Sequence, residues 1–230
     1  MNTLFITGAN RGIGLALAKL YLEQGWRVMA SCRTPQSAEA LWQLEQQFSH
    51  LQIFALDVTQ YEQMNKLAKS LSETPIDLVI NNAGIYGPKG YDFGDCDVEQ
   101  WKHVMEVNVI APLKLAEAFS AHLKRGEGKT FAVLSSKVGS MTNNTKGGGY
   151  IYRSSKAALN SVVKSLSNDL LPEGIKTVAL HPGWVKTDMG GPNALISAEE
   201  SAQGLKQVLD ELHEAQSGGF YDYQGLAIPW

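Results

Sequence analysis

Cysteine is scarce in this sequence, and long apolar runs are missing from it. The 230 residues include two cysteines, Cys32 and Cys96, which are too few for a disulfide framework and are not spaced like zinc ligands. No apolar stretch approaches the roughly 20 residues that a membrane-spanning helix requires. The first residues also lack the basic and apolar segments of a signal peptide. We therefore expect a cytoplasmic protein.

An excess of positive charge is missing too. Twenty Lys and Arg stand against 23 Asp and Glu, which gives a formal net charge of −3. Proteins that coat nucleic acids or anionic membranes need a strong positive excess, so we expect neither as a partner. The five histidines form no metal-binding pattern such as His-Glu-x-x-His, and we predict no metal site.

What is present is an ordinary globular composition with a repeating pattern of elements. No internal repeat or polar linker divides the chain, so we predict one domain over residues 1–230. Short β-branched, apolar runs alternate with segments of helical period. This alternation is typical of the α/β doubly wound (Rossmann) fold, in which helices cover both faces of a parallel sheet. The seven predicted strands span residues 3–7, 27–31, 51–56, 78–80, 130–135, 176–181 and 219–223.

A glycine-rich segment follows the first predicted strand. It runs from Thr7 to Gly14 and reads Thr-Gly-Ala-Asn-Arg-Gly-Ile-Gly. Glycines at this place permit positive φ angles and let the backbone approach a pyrophosphate, whose charge is met by N–H groups at a helix start. The Gly-x-x-x-Gly-x-Gly spacing differs from the usual Gly-x-Gly-x-x-Gly of dinucleotide-binding proteins. A plain glycine turn between strand and helix is the alternative.

The end of the second predicted strand distinguishes the two nicotinamide dinucleotides. NAD(H) sites usually place a carboxylate there for the ribose 2′-hydroxyl, whereas a 2′-phosphate needs cations. Residues 30–34 carry no carboxylate, and Arg33 together with Arg11 can present guanidinium donors to a phosphate. We therefore predict NADP(H) rather than NAD(H); the alternative is that both arginines are solvated surface residues. Asp57, after the third strand, is placed to meet the adenine amino group or to cap the next helix.

Tyr152 and Lys156 are four residues apart, so on a helix they share one face. A tyrosine with a pKa of ~10 would have to approach ~7 for acid–base work at neutral pH, which costs roughly 4 kcal/mol. A positive charge about 4 Å away supplies a similar energy at an effective dielectric constant of ~20. The pair thus suits proton transfer; an exposed Tyr-Lys pair on an amphipathic helix is the alternative.

Asn108 stands four residues before Pro112. If this segment is helical, the missing N–H of Pro112 leaves the Asn108 carbonyl without its usual partner and open to a water molecule. The alternative is that the segment marks a break between two helices.

Six motifs follow one another along the sequence: Thr7 to Gly14, Asn81 to Gly84, Asn108, Ser135-Ser136, Tyr152 to Lys156 and His181 to Gly183. Together they make the sequence resemble the classical short-chain dehydrogenase/reductase family over essentially its whole length. Within that family it looks most like the sniffer-like carbonyl reductases and the C-factor group, through residues 134–140, the three glycines before Tyr150, and the final Pro-Trp pair.

The resemblance implies a role for each catalytic position. Tyr152 would be the general acid, Lys156 would lower its pKa and bond the nicotinamide ribose, and Ser136 would donate to the substrate oxygen. Asn108 would hold a water molecule that relays protons to Lys156. Ser136 lies sixteen residues before Tyr152 instead of the family's usual spacing of about thirteen, which leaves Ser135 as a rival. Tyr150 is a rival for the acid role, although it stands six residues from Lys156.

The cofactor contacts follow from the same comparison and from the reasoning above. Asn82 is expected to be mainly structural, while Ala83 and Gly84 approach the cofactor through their backbone. The predicted contacts are Gly8, Asn10, Arg11, Gly12, Ile13, Gly14, Arg33, Asp57, Val58, Asn82, Ala83, Gly84, Tyr152, Lys156, Pro182, Gly183, Val185 and Thr187.

The resemblance implies an NADP(H)-dependent oxidoreductase that reduces small aldehydes, ketones or quinones by hydride transfer. Substrate loops are expected at residues 85–96, 139–150 and 189–197, after strands 4, 5 and 6. They would form an open cleft lined by Ile85, Tyr86, Met141, Trp184 and Met189. A signalling or NADP-sensing protein with incidental turnover, like the C-factor group, is the alternative function. The resemblance also implies a homodimer paired through helices near residues 97–123 and 152–171, with Val162, Leu166 and Leu170 as candidate contacts; the alternative is that these residues face the sheet of their own chain.

Overall fold

Seven parallel strands form one sheet in a computed structural model that describes residues 1–89 and 93–230. Their order across the sheet is β3-β2-β1-β4-β5-β6-β7, which confirms the predicted doubly wound fold. Every predicted strand lies within one residue of its observed bounds. These are β1 Thr3–Thr7, β2 Arg27–Cys32, β3 Leu51–Ala55, β4 Leu78–Asn81, β5 Thr130–Leu134, β6 Lys176–His181 and β7 Gly219–Asp222.

Helices connect the strands along the chain. The region predicted as one long helix over residues 97–123 divides into two helices around a π-helical stretch, Glu106–Ile110, which contains Asn108. The helices are α1 Gly12–Glu23, α2 Glu39–Gln47, α3 Tyr61–Ser70, α4 Val98–Met105, α5 Ala111–Arg125, α6 Tyr150–Leu170 and α7 Ala198–Asp210. None of the helices in the described part of the chain is long and apolar enough to cross a membrane.

Two apolar cores lie on opposite faces of the sheet. Successive strand residues point to opposite faces, so Leu4 and Ile6 of β1 pack against α1, α2 and α7. Phe5 points the other way and packs against α3, α5 and α6. This arrangement explains why the strands read as continuous apolar runs and not as alternating ones.

The residues predicted as dimer contacts on α6 face the sheet. Leu166 is buried in the second core, and Val162 and Leu170 are partly buried against it. This is the alternative that the sequence left open for them, because an amphipathic helix shows the same apolar stripe whether it packs on its own sheet or on a second chain. The homodimer stays a prediction.

The strand order determines where a ligand can bind. The chain runs outward from β1 in one direction to β3, then returns to β4 on the other side of β1. The connections therefore diverge at the carboxyl ends of β1 and β4 and leave a crevice there, which is the usual ligand position in open parallel sheets.

Phe119 offers a test of the second core. Its side chain is fully buried on α5, and its ring stacks on that of Phe5 with centroids 4.3 Å apart. We expect Phe119→Ala to lower the free energy of unfolding by about 3–5 kcal/mol, because it leaves a cavity in the core. Urea unfolding followed by circular dichroism measures the change. Glu117→Ala, on the exposed face of α5, should change it by less than about 1 kcal/mol; equal effects of the two substitutions would contradict this packing.

Candidate active site

The glycine-rich segment forms a tight turn between β1 and α1. Gly8 and Gly12 have φ angles of +65° and +53°, a conformation that side chains other than glycine rarely adopt. The Asn82 side chain stabilises the turn, because its Nδ2 donates to the main-chain oxygens of Thr7 and Gly8 over 2.9 and 2.8 Å. Asn82 therefore has the structural contacts expected of it, and it ties the turn to the end of β4.

Gly14 lies inside this turn and does not line the cleft. A Cβ built on Gly14 would lie 2.4 Å from the Gly8 oxygen and 2.5 Å from Asn82 Nδ2, so only glycine lets α1 start this close to the turn. The first turn of α1 contains no acidic residue, and Arg11 at its N-cap position makes no side-chain capping bond. The positive end of the helix dipole is thus available to an anion.

A cleft of about 510 Å³ opens at the carboxyl edge of the sheet above this turn. Its size is in the range of small-molecule and cofactor sites. The cleft brings together all the predicted cofactor contacts except Gly14, Gly183 and Val185. The predicted contacts that line it are Gly8, Asn10, Arg11, Gly12, Ile13, Arg33, Asp57, Val58, Asn82, Ala83, Gly84, Tyr152, Lys156, Pro182 and Thr187.

Gly183 and Val185 lie in the segment after β6, and their contacts there explain why they do not line the cleft. Val185 is buried and forms a β-bridge with Ile196, so its side chain packs inside the segment. Gly183 has a φ angle of +86°, and a Cβ on it would lie 2.6 Å from Ile196 Cδ1. Thr187, in contrast, reaches the glycine turn: its Cγ2 lies 3.1 Å from the place of a Cβ on Gly12.

Tyr152 and Lys156 lie one turn apart on α6. The Lys156 side chain is buried, and its Nζ donates to the main-chain oxygen of Leu134, at the end of β5, over 2.9 Å. The same nitrogen lies 5.7 Å from the centroid of the Tyr152 ring. Because Tyr152 and Lys156 both line the cleft, a phenol and an amine are presented to the same part of it.

Burial dominates the pKa of both groups. It raises the pKa of Tyr152 to about 12, although a hydrogen bond with the Ser136 side chain lowers it, and the nearby Tyr86 raises it further. Burial also lowers the pKa of Lys156 to about 8. The expectation that Lys156 brings the pKa of Tyr152 near 7 is wrong for this structure, because the burial that disfavours the phenolate also disfavours the ammonium that would stabilise it. At neutral pH the phenol is protonated, which is the state of a proton donor.

The two serines after β5 have different surroundings. Ser135 is buried, and its Oγ donates to Asn160 Oδ1 over 2.6 Å. Ser136 is partly exposed and hydrogen-bonds the side chain of Tyr152. Of the two, Ser136 is therefore the serine beside the phenol. Tyr150, the rival to Tyr152, is the first residue of α6 and is exposed.

Asn108 connects the segment after β4 to α6. Its buried amide bonds both main-chain groups of Ile85: the Ile85 N–H donates to Oδ1 over 2.9 Å, and Nδ2 donates to the Ile85 oxygen over 2.8 Å. Nδ2 also donates to Ser155 Oγ over 3.1 Å, and the Ser155 hydroxyl in turn donates to the main-chain oxygen of Tyr152. The amide therefore clamps the loop onto the helix that carries Tyr152. The relay water expected at Asn108 stays a prediction.

Arg11 and Arg33 both lie at the cleft, but they are not equivalent. Nη1 of Arg11 forms an exposed ion pair of 2.5 Å with Asp188 Oδ2, which links the glycine turn to the segment after β6. Arg33 is exposed at the end of β2 and has no side-chain partner within residues 1–89 and 93–230. Of the two arginines predicted to bind a phosphate, Arg11 is thus already paired with Asp188, whereas Arg33 has no partner within the described residues.

Asp57 organises the turn before α3. Its Oδ1 accepts hydrogen bonds from the main-chain N–H and the hydroxyl of Thr59 over 3.0 and 2.8 Å. The N-cap residue of α3 is Gln60, so Asp57 fixes the preceding turn and does not cap the helix. Its position in the cleft lining leaves the predicted adenine contact as a prediction.

Several lining residues were missed from the sequence. Lys186 and Asp188 flank the predicted Thr187, so their proximity to it was a usable signal. Others come from α4, from the π-helical stretch and from the ends of strands, and they carry no local signal, because the fold alone brings them to the cleft. The missed residues are Cys32, Leu56, Thr59, His103, Val107, Leu134, Lys186 and Asp188.

The predicted substrate loops contribute unequally. Ile85 and Met189 line the cleft, and Tyr86 stacks on Tyr152. The prediction that Met141 and Trp184 line the cleft is wrong: they are 73% and 51% exposed outside it, and Trp184 Nε1 donates to the main-chain oxygen of Gly190 over 2.8 Å. Residues 90–92 of the first predicted loop lie outside the described residues.

These features agree with comparisons to known proteins. Residues 2–197 match the family model described as short chain dehydrogenase, and the chain belongs to this family of oxidoreductases. It is 44% identical to C-signal of Myxococcus xanthus over 167 residues, which are 73% of this chain and 100% of that protein.

Two solved structures have a similar fold over the whole chain. One is the carbonyl reductase Sniffer of D. melanogaster, with a TM-score of 0.95 and 36% identity over 100% of both chains. The other is the NADPH-bound carbonyl reductase from chicken fatty liver, with a TM-score of 0.94 and 34% identity over 100% of this chain and 99% of that one.

The buried Lys156 predicts an unusual pH dependence of stability. Its pKa in the folded protein is about 8, below the value of 10.5 for an unperturbed lysine, so the unfolded chain binds more protons between these pH values. The cost of burying the ammonium, about 3 kcal/mol, is fully present below pH 8 and is relieved as the pH rises towards 10.5. We expect Lys156→Met to raise the free energy of unfolding at pH 7, with a gain that shrinks between pH 8 and pH 9.5.

Urea unfolding at a series of pH values measures this difference. Lys164→Met, on the exposed face of the same helix, is the matched control and should show no such pH trend. A Lys156→Met variant that is less stable than the wild type at pH 7, or whose difference from it is independent of pH, would show that burial of the charge is not the dominant cost.

Proposed function

We propose that this protein is an NADPH-dependent reductase of small aldehydes, ketones or quinones. The observation that carries the proposal is the meeting of Tyr152 and Lys156 at a cleft beside the glycine-rich turn. Membership of the short-chain dehydrogenase family and similarity to carbonyl reductases, one of them bound to NADPH, support it. The apolar and aromatic residues around the cleft are suited to small carbonyl compounds.

The residues present fit a phosphorylated dinucleotide. The uncapped start of α1 and the backbone of Gly8 to Ile13 suit the pyrophosphate, and Arg33 suits a 2′-phosphate. A Cβ on Gly84 would lie 3.2 Å from Asn108 Oδ1 and 3.6 Å from Lys156 Nζ, so glycine keeps the space between these atoms open for a ribose. When bound, the reduced cofactor supplies the hydride that adds to the carbonyl carbon.

Tyr152 then supplies the proton. Its pKa of about 12 keeps the phenol protonated at neutral pH, so Oη can donate to the carbonyl oxygen as negative charge develops there. Ser136, which bonds the same phenol, can donate a second hydrogen bond to that oxygen. Lys156 stabilises the phenolate that remains, and its pKa of about 8 lets it exchange protons with solvent near neutral pH.

A second candidate function is a signalling or NADP-sensing protein in which turnover is incidental. The similarity to C-signal is the observation that favours it. The presence of Tyr152 and Lys156 at one cleft, with Ser136 beside the phenol, favours the reductase, because a protein that only binds a cofactor has no need for a positioned proton donor.

Tyr152→Phe separates the two functions. We expect the rate of NADPH oxidation with a panel of aldehydes and ketones to fall by about 10²- to 10⁴-fold, because the ring is kept and the proton donor is lost. NADPH binding, followed by its fluorescence, should change little. Tyr61→Phe, on α3, is the control and should keep full activity. Equal activity of Tyr152→Phe and the wild type would contradict the reductase proposal; if both are inert but bind NADPH, the sensor is favoured.

Arg33→Ala tests the choice of cofactor. A hydrogen bond to a charged group contributes more than a neutral one, so we expect the Kd for NADPH to rise about 10- to 100-fold while the Kd for NADH stays within about twofold. Fluorescence titrations of both nucleotides measure the effect. Arg27→Ala, at the other end of β2, is the control. A parallel loss of affinity for both nucleotides, or no loss for either, would contradict a 2′-phosphate contact at Arg33.

A further inference from the structure

Tyr86 makes a ring contact that the mechanism above does not use. Its ring stacks on the Tyr152 ring with centroids 4.6 Å apart and an angle of 29° between the planes. Offset stacking of this kind is a favourable arrangement for two aromatic rings. Tyr86 therefore covers part of the side chain proposed as the proton donor.

The backbone on both sides of Tyr86 is held in place. On one side, the Asn108 amide bonds the N–H and the oxygen of Ile85. On the other side, Gly87 has a φ angle of +82°, and a Cβ on it would lie 2.7 Å from Val104 Cγ2 and 3.6 Å from Ile151 Cγ2. The loop thus packs against α4 and α6 just after Tyr86, and the stacked ring has a defined place.

Tyr86 is nevertheless 39% exposed. Tyr86 is not itself one of the residues that line the cleft, but its neighbour Ile85 and its stacking partner Tyr152 both are, so the Tyr86 ring lies at the margin of the cleft. An aromatic side chain that is held by its neighbours and exposed at a ligand site can contact a ligand with little loss of conformational entropy.

We propose that Tyr86 is a specificity-determining residue that selects flat, conjugated carbonyl compounds, such as aryl aldehydes, aryl ketones and quinones, over saturated ones. This inference rests on the proposed reductase function and narrows its substrate class. A carbonyl oxygen placed at Tyr152 Oη brings its substituents beside Tyr86. A flat aromatic substituent can make an edge-to-face contact with the exposed part of the Tyr86 ring, whereas a saturated ring has no π system for such a contact.

Benzaldehyde and cyclohexanecarbaldehyde form a matched pair of probes, because they differ in the flatness of the ring. We expect the wild type with NADPH to favour benzaldehyde, and Tyr86→Leu to lower the ratio of the two kcat/KM values about fivefold, mainly through a higher KM for benzaldehyde. Tyr86→Phe should keep the wild-type ratio, because it keeps the aromatic ring and removes only the hydroxyl.

Control measurements separate this effect from a general loss of structure. Thermal unfolding and NADPH binding check each variant, and Tyr86→Met replaces Tyr86→Leu if that variant does not fold. Trp42→Leu removes a side chain of similar exposure on α2 and should leave the ratio unchanged. The proposal is overturned if loss of the Tyr86 ring lowers both kcat/KM values equally, or if Tyr86→Phe loses the preference as Tyr86→Leu does.

Failure of the proposed function gives a different result. If the wild type reduces neither aldehyde, the reductase proposal fails, and binding decides the role of Tyr86. Calorimetric titration of the NADP-saturated protein with acetophenone and with cyclohexyl methyl ketone needs no turnover. A preference for acetophenone that is lost in Tyr86→Leu and kept in Tyr86→Phe supports the proposal; equal affinity of the wild type for both ketones overturns it.

Discussion

The hydrogen bond from the buried Lys156 ammonium to the Leu134 carbonyl is the interaction on which the site depends. It joins α6 to the end of β5, and these two elements carry Tyr152 and lead into Ser136. A buried charge is costly unless it is hydrogen-bonded, so the bond to the Leu134 carbonyl closely defines the position of this nitrogen. Gly139 makes the approach possible, because a Cβ there would lie 2.8 Å from the Lys156 main-chain carbon.

A second polar link completes the same arrangement. Through its bonds to Ile85 and Ser155, the Asn108 amide holds the segment after β4 against α6. The π-helical stretch that contains Asn108 places this side chain between loop and helix, and such stretches are frequent at functional sites. The donor, the amine and the loop with Tyr86 are thus all linked to α6. Burying the Lys156 ammonium in this arrangement lowers the stability of the protein, and such a cost is common at functional sites.

The fold was predictable from the sequence because its signals are local and repeated. The seven apolar runs and their helical connections gave the strands to within one residue, since the five inner strands are buried on both faces and only the edge strands β3 and β7 are partly exposed. The cleft was largely predictable for the same reason: the turns at Gly8 and Gly84 follow strand ends that meet at one edge of the sheet.

The side-chain contacts and the pKa values of the site could not be predicted, because they depend on contacts between distant parts of the chain. The Arg11 pair with Asp188 joins residues that are 177 positions apart, and the Tyr86 stack on Tyr152 joins the segment after β4 to α6, two regions that no sequence pattern connects. The pKa expectation for Tyr152 failed because the sequence gives the spacing of tyrosine and lysine but not their burial. Desolvation disfavours the charged form of each group, so it raises the pKa of the tyrosine and lowers that of the lysine. The size of these pKa shifts depends on burial, which only the packed structure reveals.

The burial of the Lys156 ammonium is the central physical claim, and a site-resolved titration tests it most directly. NMR of the protein labelled with ¹³C at the lysine side chains, with Lys156→Met used to assign the signal, follows this one amine through its proton loss. We expect the Lys156 signal to titrate near pH 8. A midpoint at the ordinary lysine value of 10.5 would contradict the claim, since the amine would then be as well solvated as in an unfolded chain.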